Sequence, residues 1–184
     1  MTRLTRRALL AGLGGATLGL GLRPLGVARA GGAETSQPAE PSHPLPGPAP
    51  DFELPVLGDD RSVRLSELRG APVWLSFWAT WCGPCRAELA ELVPFQRRWT
   101  RKGAAVWPVS LDRDPDMARS LLRRDDLELA TLIDAANVTV EPYAAARIPL
   151  GVLIDPAGRV VRRVEGVRTH LFADADAWLR ELMP

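Results

Sequence analysis

The two cysteines of this chain, Cys82 and Cys85, stand two residues apart and directly behind the apolar run Val73-Trp74-Leu75-Ser76-Phe77-Trp78. That run is short, aromatic and without strict alternation, the pattern of a strand buried on both faces. Beyond it, Cys85, Leu89, Leu92 and Val93 recur at i, i+4, i+7 and i+8, which predicts a helix starting near Cys82 with this stripe turned inward. Cys85 then shares the buried face, and Cys82 falls at an exposed first turn. A structural staple is improbable, because a disulfide across so few residues closes too small a loop to gain much chain entropy. Zinc would need about four ligands, and the only histidines, His43 and His170, lie in a proline-rich stretch and near the C-terminus.

The rest of the chain builds layers around that strand. Residues 104–111 read as a second strand, with Pro108 predicting a bulge or an unpaired backbone position. Asp114-Pro115 supplies a helix cap followed by proline at the first helical position, so a helix runs to about Arg124. Residues 150–155 and 159–164 form strands of an antiparallel hairpin around Asp155-Pro156-Ala157-Gly158. Leu171, Ala175, Trp178, Leu179 and Leu182 make one apolar face of a closing helix. The order strand, helix, strand, helix, hairpin, helix specifies an α/β fold with a central mixed sheet flanked by helices. Asp112 to Asp116 echoes a calcium loop only superficially: Met117 and Arg123 occupy the positions that need glycine and glutamate.

The N-terminus has a different purpose. Residues 1–30 combine a basic start, an apolar run from Ala8 to Leu22 and Ala28-Arg29-Ala30, the features of a secretory signal peptide. Arg6-Arg7 and the Gly-rich apolar run resemble a twin-arginine export signal. An uncleaved membrane anchor is the alternative, although 15 apolar residues fall short of the roughly 20 that span a bilayer. Residues 31–48 read as a linker; with six prolines between 31 and 50 and little that is large and apolar, this stretch is a semi-extended tether. The folded domain is expected over 49–184. Beyond residue 30 the chain carries 18 Lys and Arg against 22 Asp and Glu, a net charge of −4, so nothing suggests a nucleic-acid partner.

A Cys-x-x-Cys at the junction of strand and helix suits electron exchange. The helix start offers unpaired N–H groups and a positive dipole end, both favouring a thiolate on Cys82. That thiolate attacks a substrate disulfide, and Cys85, one turn on, resolves the mixed disulfide. Pro84 restrains the loop, and Trp81 offers a flat apolar surface beside the sulfur.

The stretch "FWATWCGPCRAEL" resembles the active-site region of the thioredoxin superfamily. The longer stretch from Ala49, "APDFELPVLGDDRSVRLSELRGAPVWLSFWATWCGPC", is similar to the exported TlpA/ResA/CcmG branch of thiol-disulfide oxidoreductases. The resemblance runs to the C-terminus and implies a thioredoxin-like fold with an N-terminal β-hairpin extension and a central insertion over residues 121–143. It further implies a cis Ile148-Pro149 bond packed against the cysteines, with the Ile148 backbone pairing with the client chain. Trp81, Gly83, Pro84, Ile148 and Pro149 are thus the expected substrate-binding residues, and Cys82 and Cys85 the catalytic pair.

No cofactor is implied beyond the redox-active pair itself. Partners implied are cysteine-containing proteins, among them apocytochrome c or copper-site clients, and a membrane electron donor of the CcdA or DsbD kind; the domain is expected to be a monomer in an extracytoplasmic compartment. This chain departs from the family pattern in places. Ser76 stands where thioredoxins bury an aspartate six residues before the first cysteine, and Pro108 matches its lysine partner. Ala90 occupies the usual site of the helix-kinking proline, with Pro94 a turn later. Glu88 is left as the candidate for proton transfer, although its place three residues past Cys85 is also that of a solvent-facing residue. A Sco-type copper carrier would need a wider cysteine spacing and a histidine near Pro149. The remaining rivals are a disulfide-donating oxidase and a non-enzymatic interaction module.

Overall fold

The computed structural model describes residues 47–183. The expected signal or anchor, its cleavage site, His43 and most of the proline-rich linker lie outside the described residues. The linker's last two residues, Gly47–Pro48, already form strand β1. The chain continues through β2 (Glu53–Pro55), β3 (Ser62–Arg64), a 3-10 turn (Leu65–Leu68), β4 (Val73–Trp78), α1 (Gly83–Thr100), β5 (Ala105–Ser110) and α2 (Pro115–Arg124). It ends with β6 (Leu132–Ile133), β7 (Leu150–Ile154), β8 (Arg159–Glu165) and α3 (Leu171–Leu182).

The main sheet has the order β1-β8-β7-β4-β5-β6. It is mixed: β4 runs parallel to β5 and antiparallel to β7, while β7 and β8 form the expected hairpin. β2 and β3 pair separately as the N-terminal hairpin extension. The segment expected as an insertion supplies the end of α2, the edge strand β6 and Tyr143. Every residue of β4 is buried, as its uninterrupted apolar run requires at the centre of a sheet covered on both faces.

Side-chain alternation along β4 assigns the two layers. Trp74 turns to the helical side, its ring centroid 6.1 Å from Phe95 of α1 and stacked 6.5 Å from Trp178 of α3. Phe77 turns the other way, 5.5 Å from Tyr143, which also meets Phe52. The buried Tyr143 hydroxyl, a group that must find a partner, donates to the Pro50 carbonyl at 2.6 Å. Trp99 of α1 donates its indole N–H to Asp176 of α3 at 2.6 Å, tying the two helices.

Two glycines are required by this packing. The Trp74 ring lies where a side chain at Gly151 would project, 2.5 Å from an ideal Cβ, so only glycine lets the ring lie flat on β7. Gly158 closes the β7–β8 turn at φ +81, a conformation that costs other residues dearly.

Pro108 takes its place in the β4–β5 register without a bulge, directly opposite Ser76. The N–H groups of Ala105 and Leu111 donate to Pro72 and Trp78 on the β4 side, so the even-numbered residues of β5 face away from β4. Pro108 therefore lacks its N–H on the side where no strand is yet paired. One residue pair back, the Val106 carbonyl is satisfied by the Gln96 side-chain amide instead, at 2.9 Å. The unpaired position expected at Pro108 is present, and the bulge is not.

Candidate active site

Both cysteines are placed by the crossing from β4 to α1. β4 ends at Trp78, the Cys82 N–H turns back onto the Ala79 carbonyl at 3.1 Å, and Cys82 becomes the N-cap of α1 in extended conformation, φ −89 and ψ 98. Its Sγ accepts the Cys85 N–H at 3.2 Å. A capping side chain normally supplies oxygen to one of the first-turn donors of a helix; here sulfur does so. Pro84 sits in the first turn, where a missing N–H leaves no helical bond unmade.

Cys82 and Cys85 are joined as a disulfide with Cα atoms 5.3 Å apart, so the structure represents the oxidised state. Cys85 is 1 % exposed, on the predicted inner face with Leu89 and Leu92. Val93 is only partly covered. Cys82 departs from the exposed position expected: it is 6 % exposed, because its sulfur is turned onto Cys85 and lies 3.8 Å from the Ile148 carbonyl oxygen. Trp81 stands clear at 69 % exposed, with Gly83 and Pro84 also at the surface.

The Ile148-Pro149 bond is cis. Pro149 is buried at the head of β7, and its carbonyl accepts the Gly166 N–H at 2.9 Å, fixing the end of β8 beside it. Trp81, Gly83, Pro84, Ile148 and Pro149 therefore all neighbour the disulfide along the chain or in space. In the sheet behind the helix, Ser76 and Pro108 sit side by side in the β4–β5 register. The positions that carry an aspartate and a lysine in the related pattern are thus a hydroxyl and an uncharged ring.

Glu88 is not a solvent-facing residue. It is half-buried on α1 one turn past Cys85, and its Oε1 is shut off from solvent without a hydrogen-bond partner among the described residues. Burial disfavours its charge and Glu91 adds repulsion, which together push its pKa up to about 7.

Asp112 is a buried carboxylate whose place beside the site the sequence did not reveal. It is 4 % exposed just past β5 and grips the loop before the cysteines. Thr80 donates its N–H to Oδ2 at 3.0 Å and its hydroxyl to Oδ1 at 2.7 Å, and Ser110 donates to Oδ2 at 2.9 Å. Asp114 caps α2, accepting the Asp116 N–H at 2.9 Å, and nothing in the sequence sets Asp112 apart from its acidic neighbours.

A capped, disulfide-forming Cys-x-x-Cys beside a cis-proline on a mixed thioredoxin-like sheet defines the class of thiol-disulfide oxidoreductases. The chain belongs to the AhpC/TSA family, whose profile matches residues 46–164, and within it to the ResA/DsbE-type thiol-disulfide oxidoreductases of the thioredoxin superfamily. Among relatives, the thiol-disulfide oxidoreductase ResA of Bacillus cereus is 26% identical over 136 residues, covering 74% of this chain and 77% of its own. ResA of Oceanobacillus iheyensis is 32% identical over 124 residues, covering 66% of this chain and 65% of its own. Among solved structures, a candidate thiol:disulfide interchange protein DsbE from Chlorobium tepidum superposes with a TM-score of 0.68 at 31% identity, covering 76% of this chain and 97% of that one. The pneumococcal exposed lipoprotein thioredoxin Etrx1 of Streptococcus pneumoniae gives a TM-score of 0.64 at 26% identity, over 72% of this chain and 100% of that one.

Proposed function

We propose that the protein is an extracytoplasmic reductase of protein disulfides, with Cys82 as nucleophile and Cys85 as resolving thiol. The observation that carries this reading is the Cys85 N–H donated to Cys82 Sγ at the start of α1. In the reduced protein the same donor, with the positive end of the helix, stabilises a thiolate on Cys82 and lowers its pKa.

The thiolate attacks one sulfur of the client disulfide; the Cys82–client bond forms and the other client sulfur leaves as a thiolate. Cys85 then loses its proton and attacks Cys82 Sγ. The Cys82–client bond breaks, the client sulfur that Cys82 had attacked leaves as a thiolate, the Cys82–Cys85 bond forms, and two electrons have passed to the client. Glu88 is the proton acceptor for Cys85 in this scheme, since Ser76 and Pro108 offer no carboxylate or ammonium, and a carboxyl with its pKa at about 7 is matched to proton transfer near neutral pH. Trp81, Gly83 and Pro84 form the contact surface beside the sulfur. Ile148 pairs main chain to main chain with the client, which tolerates many client sequences.

The direction of transfer rests on Gly83-Pro84. This pair resembles thioredoxin, at about −270 mV, whereas strong disulfide donors lie near −120 mV; the gap of roughly 150 mV is about 7 kcal/mol in the balance of dithiol and disulfide. A reductase outside the cytoplasm needs an electron source, and a membrane donor of the CcdA or DsbD kind fits that need. Apocytochrome c haem-site cysteines and copper-site cysteines are the client classes that suit it. Export by residues 1–30, with or without a retained membrane tether, belongs to the same reading. Among the described residues no helix is long and apolar enough to cross a membrane.

The Cys85→Ser variant tests this reading, because it stalls the reaction with the client held on Cys82. Recovery of disulfide-linked client proteins released by dithiothreitol is the expected result; an empty trap from cells that contain the protein contradicts it. Equilibration of the purified domain against dithiothreitol and glutathione buffers tests direction: a potential near that of DsbA makes it an oxidase.

A further inference from the structure

Beside the disulfide, between the β4–α1 loop and α2, lies a groove of about 690 Å³. Its floor and rim are apolar at Leu111, Leu121, Met117 and Trp81. The last two stand 54 % and 69 % exposed, unusual for side chains of that kind. Its polar wall is unequal in a way that selects a ligand. The lining carboxylates are committed: Asp112 to Thr80 and Ser110, Asp114 to the first turn of α2. Arg124 is committed too, paired with Asp125 at 2.8 Å. Arg86, next to Cys85, and Arg113, next to Asp112, are exposed, and their guanidinium groups make no ion pair or hydrogen bond with any described residue; that of Arg86 only acts through space on Asp125. The charged donors left open to a visitor are the guanidinium groups of Arg86 and Arg113, and the lining carboxylates are already engaged.

We infer that this groove docks the client segment flanking the target cysteine, and that it prefers a segment pairing an apolar side chain with carboxylates, the apolar group on Trp81 and Met117 and the carboxylates on Arg86 and Arg113. Guanidinium suits this role because its planar fork binds carboxylate through two hydrogen bonds at once. The groove lies past the end of β5 and Ile148 lies at the head of β7, on opposite sides of β4, so the groove adds charge selection to main-chain pairing that reads little sequence. This inference rests on the reductase reading and deepens it.

The test uses reduced full-length protein and two synthetic peptides, each with one internal disulfide, flanked by Glu-Leu-Glu or by Lys-Leu-Lys. Uncharged hydroxyethyl disulfide is the third substrate, and rates are read by acid quench. The Glu peptide is expected to react about tenfold faster than the Lys peptide at low ionic strength, with the ratio falling below about threefold at 0.5 M salt as the charges are screened. Arg86→Glu with Arg113→Glu is expected to invert the ratio. Arg101→Glu, the same kind of charge change at the far end of α1, is expected to leave it intact. Because each ratio is taken within one preparation, partial misfolding does not alter it. Equal rates for the two peptides with wild type overturn the inference, as does an inversion produced equally by Arg101→Glu. Absence of reaction with hydroxyethyl disulfide overturns the reductase reading itself, and this inference falls with it.

Discussion

The two ends of β4 are held in opposite ways. Toward its start, Trp74 is sealed between α1 and α3 by Phe95 and Trp178, and lies against a glycine. Past its end, Ala79 and Cys82 are buried too, but the loop 79–82 is positioned by directed hydrogen bonds: Thr80 to the Asp112 carboxylate, and the Cys85 N–H to Cys82. Dispersion and burial fix the first end, where any well-packed apolar set of the right shape would serve. The second end needs particular atoms at particular places, because its sulfur must be charged in one redox state and bonded in the other. The contrast predicts that stability and chemistry can be damaged separately.

The largest effect falls on chemistry alone. Cys82→Ser is expected to abolish disulfide turnover while leaving the unfolding midpoint of the reduced protein nearly unchanged, as read by insulin reduction and by denaturant titration. At the other end, Trp74→Ala is expected to cost about 3–5 kcal/mol of stability through lost burial and an unfilled cavity. The alkylation rate of Cys82 should be unaffected wherever the variant remains folded. A Trp74→Ala variant as stable as wild type would erase the contrast.

Asp112→Asn falls between the two. The amide can still accept from Thr80 but loses the charge that strengthens those bonds, so a cost of about 1–2 kcal/mol is expected, together with slower reaction of Cys82. Denaturation and iodoacetamide kinetics on the same variant check both. The smallest effect is that of Glu88. Its pKa in the folded protein, about 7, lies above the ordinary carboxylate value, so the neutral form is the one that folding favours. Its contribution to stability is full in acid, below the ordinary value, and is lost as pH rises toward 7. Glu88→Gln should gain on wild type across that window, by about 1 kcal/mol after allowing for its partial exposure to solvent. In activity the sign reverses: the wild-type rate should climb as the carboxyl ionises near pH 7, and the Gln variant should lose that inflection.

Much of this was legible in the sequence because burial leaves periodic marks. The apolar run of β4, the stripe Cys85, Leu89, Leu92, the Asp114-Pro115 start of α2 and the turn at Gly158 are local signals, and each formed where expected. What was not legible is non-local. Asp112 looks like one acid among several until β5 carries it beside Thr80, 32 positions earlier in the chain. Glu88 shares its spacing with solvent-facing residues, and only the packing around α1 closes over one of its oxygens. The low exposure of Cys82 likewise depends on the Ile148 carbonyl, brought in from 66 positions away.

The account depends most on a thiolate at Cys82, favoured by the first turn of α1. Iodoacetamide alkylation of the reduced protein, followed from pH 4 to pH 10 with the site of reaction read by mass spectrometry, measures this directly. The account predicts that Cys82 reacts before Cys85, with an apparent pKa at least about one unit below the ordinary cysteine value of about 8.5. An apparent pKa at or above that value would contradict it.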